Sequence, residues 1–102
     1  MSSPKFVAEV SVLNRNAMEG VRVDGSDVLV ANLDGKIVAL DNKCTHRGCR
    51  VSTGKLNGAI AECPCHGSEF DLLTGEVKQG PAIKPLKRYD VAIEGDKIMV
   101  KL

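Results

Sequence analysis

The chain has 102 residues, room for one domain with a small core. Fourteen basic residues against thirteen acidic ones leave a formal net charge of +1, which argues against nucleic acid as the main partner, because binding a polyanion needs a concentrated basic face. Hydrophobic residues make up 43% of the chain, yet there is no Trp, one Tyr and two Phe, so the interior must come from Val, Ile, Leu and Ala, which suit thin β layers.

Met1 to Val7 has no apolar run resembling a signal-peptide core. The longest unbroken apolar runs, Val28 to Ala31 and Ile37 to Leu40, are four residues each, far short of the ~20 that span a bilayer. A soluble, cytoplasmic protein is expected. In that compartment four cysteines are more naturally metal ligands than a disulfide framework.

Lys5 to Val10 alternates well enough for a first strand, and Asn14-Arg15-Asn16 carries turn chemistry. Gly20 to Val23 runs into Asp24-Gly25, a hairpin signal. Asp27 to Leu33 and Lys36 to Asp41 follow as strands, joined by Asp34-Gly35, a pair favoured where a type I′ turn needs two positive φ angles. From Asn42 to about Pro85 six glycines punctuate stretches too short to form a core of their own, with small strands expected at Ala59 to Glu62 and around Phe70 to Leu72. This part reads as a loop-rich insertion held by something other than apolar burial. Leu86 to Glu94 and Lys97 to Leu102, hinged at Glu94-Gly95-Asp96, return to strand character and close the sheet begun by the first strands. No window sustains apolar spacing at i, i+3, i+4 and i+7, so little helix is expected. The fold class is all-β: a single domain, 1–102, with a loop-rich subdomain at about 42–85 inserted in a framework of antiparallel sheet from 5–41 and 86–102.

All four cysteines and both histidines fall between Cys44 and His66. They form C-x-H, sixteen intervening residues, then C-x-x-H, and two short loops of this kind can converge four soft or borderline ligands on one metal. Buried thiols with unrelated histidines are the plain alternative. Zinc could take two thiolates and two imidazoles, or all four cysteines. The spacings Cys63-Pro64-Cys65 and Cys44 to Cys49 differ from the usual zinc knuckle, however, which leaves zinc possible but not favoured.

Cys44-Thr45-His46-Arg47-Gly48-Cys49 and Cys63-Pro64-Cys65-His66-Gly67-Ser68 resemble the two boxes of Rieske iron–sulfur proteins, in which two Cys hold one iron of a [2Fe-2S] cluster and two His the other. Phe70-Asp71, Thr74-Gly75-Glu76, Gly80-Pro81-Ala82, Pro85-Leu86 and Tyr89 also match, so the resemblance covers nearly the whole chain. It implies a Rieske-like fold with 42–85 as the cluster-binding subdomain. Cys44 and Cys63 would ligate the inner iron, and His46 and His66 the outer one. Cys49 and Cys65 match a pair that forms a disulfide between the loops in respiratory and photosynthetic members. Ser68 stands where a hydroxyl donates to a bridging sulfide, whereas Phe70 replaces a second donor, Tyr, which implies an intermediate potential. Gly80-Pro81-Ala82 resembles a loop that covers the cluster from a third side. Lys84, Lys87 and Arg88 read most simply as solvent-facing charge.

Mixed ligation has a charge-based rationale. Two neutral imidazoles in place of two thiolates remove two negative charges, so an added electron meets less repulsion. The electron should settle on the histidine-bound iron, and reduction should raise the pKa of the outer imidazole N–H, making the potential fall with pH in the alkaline range. The resemblance implies a monomeric electron carrier, not an enzyme, that meets a reductase and an acceptor oxidoreductase such as a multicomponent oxygenase, with neither nucleic acid nor membrane as partner. Its alternatives are a Rieske subunit or fragment of a quinol-oxidising complex, and a zinc-stabilised interaction module.

Overall fold

The computed structural model describes residues 4–45, 48–65 and 67–102. Ten strands run in chain order: β1 Lys5–Glu9, β2 Ala17–Val23, β3 Ser26–Leu33, β4 Lys36–Asp41, β5 Lys55–Asn57, β6 Ile60–Glu62, β7 Glu69–Asp71, β8 Val77–Gln79, β9 Arg88–Glu94 and β10 Lys97–Lys101. Two single-turn 3-10 segments, Val10–Val12 and Val51–Thr53, are the helical elements among the described residues. Among the described residues no helix is long and apolar enough to cross a membrane.

The strands form two antiparallel sheets. The larger has the order β1-β10-β9-β4-β3-β2 and the smaller β5-β6-β7-β8. As expected from the sequence, the C-terminal hairpin completes the first sheet: β10 pairs with β1, and β9 pairs with β4 through Ala39 with Tyr89 and Leu40 with Arg88. The β3–β4 turn carries positive φ at both Asp34 (55°) and Gly35 (100°), as a type I′ turn demands.

Strands β5 and β8 are additions to the sequence-based expectation, and β9 begins at Arg88 rather than Leu86. Three residues alternate too briefly to carry a periodic signal. Lys55–Asn57 and Val77–Gln79 are strands because Leu56 lies opposite Ala61, and Val77 opposite Phe70, across the small sheet.

The expectation that the insertion lacks apolar burial is also corrected. Strand β3 is buried from Asp27 to Asn32, and its side chains alternate between two cores. Val28 and Val30 join Ala39, Val7, Ile98 and Val100 on one face. Leu29, Ala31, Val38 and Leu40 face the other way, onto Val51, Ala61, Phe70, Leu72, Ala82, Leu86 and the thiols of Cys44 and Cys63. The insertion therefore shares a core with the main sheet. The four-residue apolar runs in β3 and β4 were the available signal, since unbroken runs mark strands buried on both faces. Phe70 is fully buried at the centre of this second core. Phe70→Ala is expected to lower unfolding free energy by about 3 to 5 kcal/mol in a denaturant titration, and Val12→Ala, at an exposed turn, by under about 0.5 kcal/mol.

Candidate metal centre

The segments Cys44 to Cys49 and Cys63 to Ser68 are built alike. In each, the N–H of the leading cysteine donates to the carbonyl five residues on: Cys44 to Cys49 at 2.8 Å and Cys63 to Ser68 at 2.7 Å. The N–H of the glycine four residues on donates back to the cysteine carbonyl, from Gly48 at 2.7 Å and from Gly67 at 3.1 Å. Both glycines have φ of 77°, a left-handed conformation that strains any residue with a Cβ. The leading cysteines thus occupy equivalent positions in two equivalent loops, and both are buried. In the same alignment Cys49 of the first loop corresponds to Ser68 of the second.

A disulfide between Cys49 and Cys65, with Cα atoms 6.5 Å apart, joins the two loops. Cys44 and Cys63 remain outside it. The sulfurs of Cys49, Cys63 and Cys65 all lie within 4.8 Å of one another, but two of them are spent on each other and cannot act as thiolates. That rules out a zinc site made of all four cysteines and sets the Cys63 thiol beside the bridge.

A third segment ties the loops together from the side. Ser68 is fully buried, and its Oγ accepts from the Ala82 N–H at 3.0 Å, which leaves the hydroxyl proton available to a further acceptor. The Thr45 hydroxyl donates to the Lys84 carbonyl at 2.6 Å. Residues 82 to 84 are therefore bonded at one end to the second loop and at the other to the first.

The first loop is also clamped to the main sheet, through residues the sequence did not single out. Arg50 donates to Asp27 from Nε (2.7 Å) and Nη2 (3.0 Å). Asn42, fully buried, donates to Asp27 at 3.0 Å and to the Ser52 hydroxyl at 2.8 Å, and accepts from the Ser52 N–H at 2.8 Å. Gly20 on β2 makes room for the clamp, because a Cβ there would collide with Arg50, Asn42 and Ser52. An acidic residue abutting the apolar run of β3 was the legible sign, as a buried carboxylate needs a partner. The Arg50 hydrogen bonds, helped by Asn42, hold the Asp27 carboxyl below its ordinary range against the opposing effect of burial.

The structure sets the Cys63 thiol beside the Cys49–Cys65 bridge, ties Cys63 to Ser68 through the backbone, and buries Cys44 and Cys63 in the same core. His46 and His66, the expected imidazole ligands, and Arg47 lie outside the described residues.

The Rieske [2Fe-2S] domain description matches residues 3–90. The chain belongs to the Rieske [2Fe-2S] family. Its Rieske relatives include the ferredoxin component of naphthalene 1,2-dioxygenase/salicylate 5-hydroxylase systems from Ralstonia sp, 41% identical over 83 residues that span 81% of this chain and 80% of that one. Among solved structures, the ferredoxin of carbazole 1,9a-dioxygenase from Nocardioides aromaticivorans IC177 superposes with a TM-score of 0.92 at 31% identity, covering 97% of each chain. The ferredoxin in a complex of reduced oxygenase and oxidised ferredoxin of carbazole 1,9a-dioxygenase gives 0.89 at 28% identity, covering 95% of this chain and 100% of that one.

The family's cofactor is a Rieske-type [2Fe-2S] cluster. The donors present fit it: two buried thiols kept out of the disulfide, at matching positions of twin loops, with a buried hydroxyl whose proton is still to be placed. Labelling checks the sulfur chemistry. Denatured, metal-stripped protein is expected to take up iodoacetamide at two cysteines before reduction and four after it, as follows from the one bridge and the two remaining thiols.

The clamp has a pH signature. A carboxyl whose folded pKa lies below its ordinary 3.8 adds stability above that value and loses it as pH falls through the folded pKa. The stability gap between wild type and Asp27→Asn should therefore be open at pH 7 and close as pH falls below about 4. A gap that stays constant down to pH 3 in denaturant titrations would show that the Asp27 charge does not matter.

Proposed function

We propose that this Rieske protein is a cytoplasmic one-electron carrier in which Cys44 and Cys63 hold one iron of the cluster and His46 and His66 the other. The observation that carries the assignment is the matched pair of loops, each presenting one buried thiol at its first position. When bound, the cluster supplies a reversible one-electron couple.

The chain's own residues give that couple its setting. The Cys49–Cys65 bridge holds the loops at a defined separation. Ser68 uses its lone pair to hold Ala82, so its proton would be free to donate to the cluster when one is bound. Fully buried Phe70 packs where a second hydroxyl would otherwise stand, so one donor acts instead of two. The clamp on Arg50 fixes the exit of the first loop, so that little of the protein need rearrange when charge changes.

The acceptor is a multicomponent oxygenase and the donor its reductase. Similarity to the ferredoxin components of dioxygenase systems supports both partners, and the oxygenase–ferredoxin complex of the carbazole system supports direct docking. The cytoplasmic setting rests on the same similarity. The disulfide favours a second reading, a subunit of a quinol-oxidising complex, because the sequence resemblance associates that pair with respiratory and photosynthetic members.

Low-temperature EPR of the reduced protein, with iron and acid-labile sulfide assays and a redox titration, tests the assignment. Equal iron and sulfide and a midpoint in the Rieske range of about −150 to +300 mV are expected. A colourless protein containing zinc would overturn it. Reduction by a quinol complex but not by a ferredoxin reductase would favour the second reading. Ser68→Ala should lower the midpoint by about 65 to 130 mV, the equivalent of losing one hydrogen bond of ~1.5 to 3 kcal/mol to a charged acceptor. An unchanged midpoint would remove Ser68 from the tuning.

A further inference from the structure

Ile83 is 88% exposed, well beyond Val12 at 59%, the next most exposed large hydrophobic residue among those described. Its position explains why this is not an ordinary loose surface residue. It lies between the two hydrogen bonds that tie the third segment to the cluster loops, Ala82 N–H to Ser68 and Thr45 hydroxyl to the Lys84 carbonyl. Ala82 beneath it is buried, and Pro81 and Pro85 bracket the turn. A side chain offered outward from a stretch pinned on both sides is preorganised. A β-branched residue also has little rotamer freedom to lose when a partner covers it.

Charge is segregated along the chain in the same segments. Residues 42–61, 63–68 and 77–89, which supply the three loops, contain none of the thirteen acidic residues. The last of these stretches alone holds Lys78, Lys84, Lys87 and Arg88. Lys43 and Lys84 are exposed, and neither takes part in a salt bridge among the described residues. Lys84 adjoins Ile83 in the chain and Lys43 precedes the first loop, and an apolar anchor with unpaired cations about it is the arrangement of an interface centre with a charged rim.

We infer that Ile83 is the apolar anchor of the electron-transfer docking face, and that the partner receives it in an apolar depression rimmed by carboxylates that face Lys84 and Lys43. The inference rests on the carrier function proposed above and adds the chemistry of the partner surface. The anchor brings the partner over the point where both cluster loops meet. The cations favour an acidic surface, accelerate encounter and disfavour basic ones, an effect that salt screens.

The test uses the reduced holo protein and the purified oxygenase component of the naphthalene 1,2-dioxygenase/salicylate 5-hydroxylase systems of Ralstonia sp, whose own ferredoxin component is 41% identical to this chain. Stopped-flow reoxidation is followed against oxygenase concentration and salt. Ile83→Ser should raise the half-saturating oxygenase concentration by about tenfold, and Ile83→Leu should stay near wild type. Lys84→Glu should weaken association and flatten its salt dependence. The midpoint potential of Ile83→Ser and its reoxidation by ferricyanide should match wild type. Saturation by Ile83→Ser at the wild-type concentration would overturn the inference, and so would a shifted midpoint, which would place the effect at the cluster. A wild-type protein that the oxygenase cannot reoxidise would instead overturn the acceptor reading, and this inference with it.

Discussion

Strands β3 and β4 are apolar on both faces, and most of the remaining architecture follows from the need to cover them. One face is closed by β1 and the C-terminal hairpin, through Val7, Ile98 and Val100. The other cannot be reached by the same sheet, and it is closed by the loop-rich stretch through Val51, Phe70, Leu72 and Leu86. That second closure draws Cys44 and Cys63 into the core, so apolar burial and placement of the thiols are one event. Hydrophobic burial here also positions the two thiols.

Apolar contact alone would leave the loops free to slide, because it has little directional preference. Direction comes from polar bonds at three points. Asp27 and Asn42 hold the exit of the first loop through Arg50 and Ser52. Ser68 holds Ala82, and Thr45 holds the Lys84 carbonyl. The Cys49–Cys65 bridge then joins the two loops covalently. Directional bonds of this kind favour one arrangement, which suits a carrier whose surroundings must serve both charge states with little movement.

The same segments that build the site lack carboxylates. Nothing in the fold requires this at the exposed positions, where an acidic residue would be tolerated. Ile83 is likewise unnecessary to either core. Features that cost the isolated molecule something, or do nothing for it, gain a rationale when the loops are regarded as a surface presented to an electron-transfer partner.

The sequence by itself determined the all-β class, the β3–β4 turn at Asp34-Gly35, the return of the chain in a C-terminal hairpin, and the gathering of all four cysteines and both histidines between Cys44 and His66. These were legible because alternation, positive-φ turn residues and ligand spacing are local patterns. It also carried the family's pattern in the paired boxes. Tertiary structure alone decided the rest. Strands β5 and β8 exist by virtue of their neighbours, since three residues have no period of their own. The insertion has an apolar core only because β3 supplies half of it. The equivalence of Cys49 with Ser68 is a matter of backbone hydrogen bonding that the letters C and S conceal. The clamp unites Gly20, Asp27, Asn42 and Arg50 from four separate segments. Ile83, an apolar letter that a sequence would assign to the interior, is outside because the bonds on either side of it turn the chain outward.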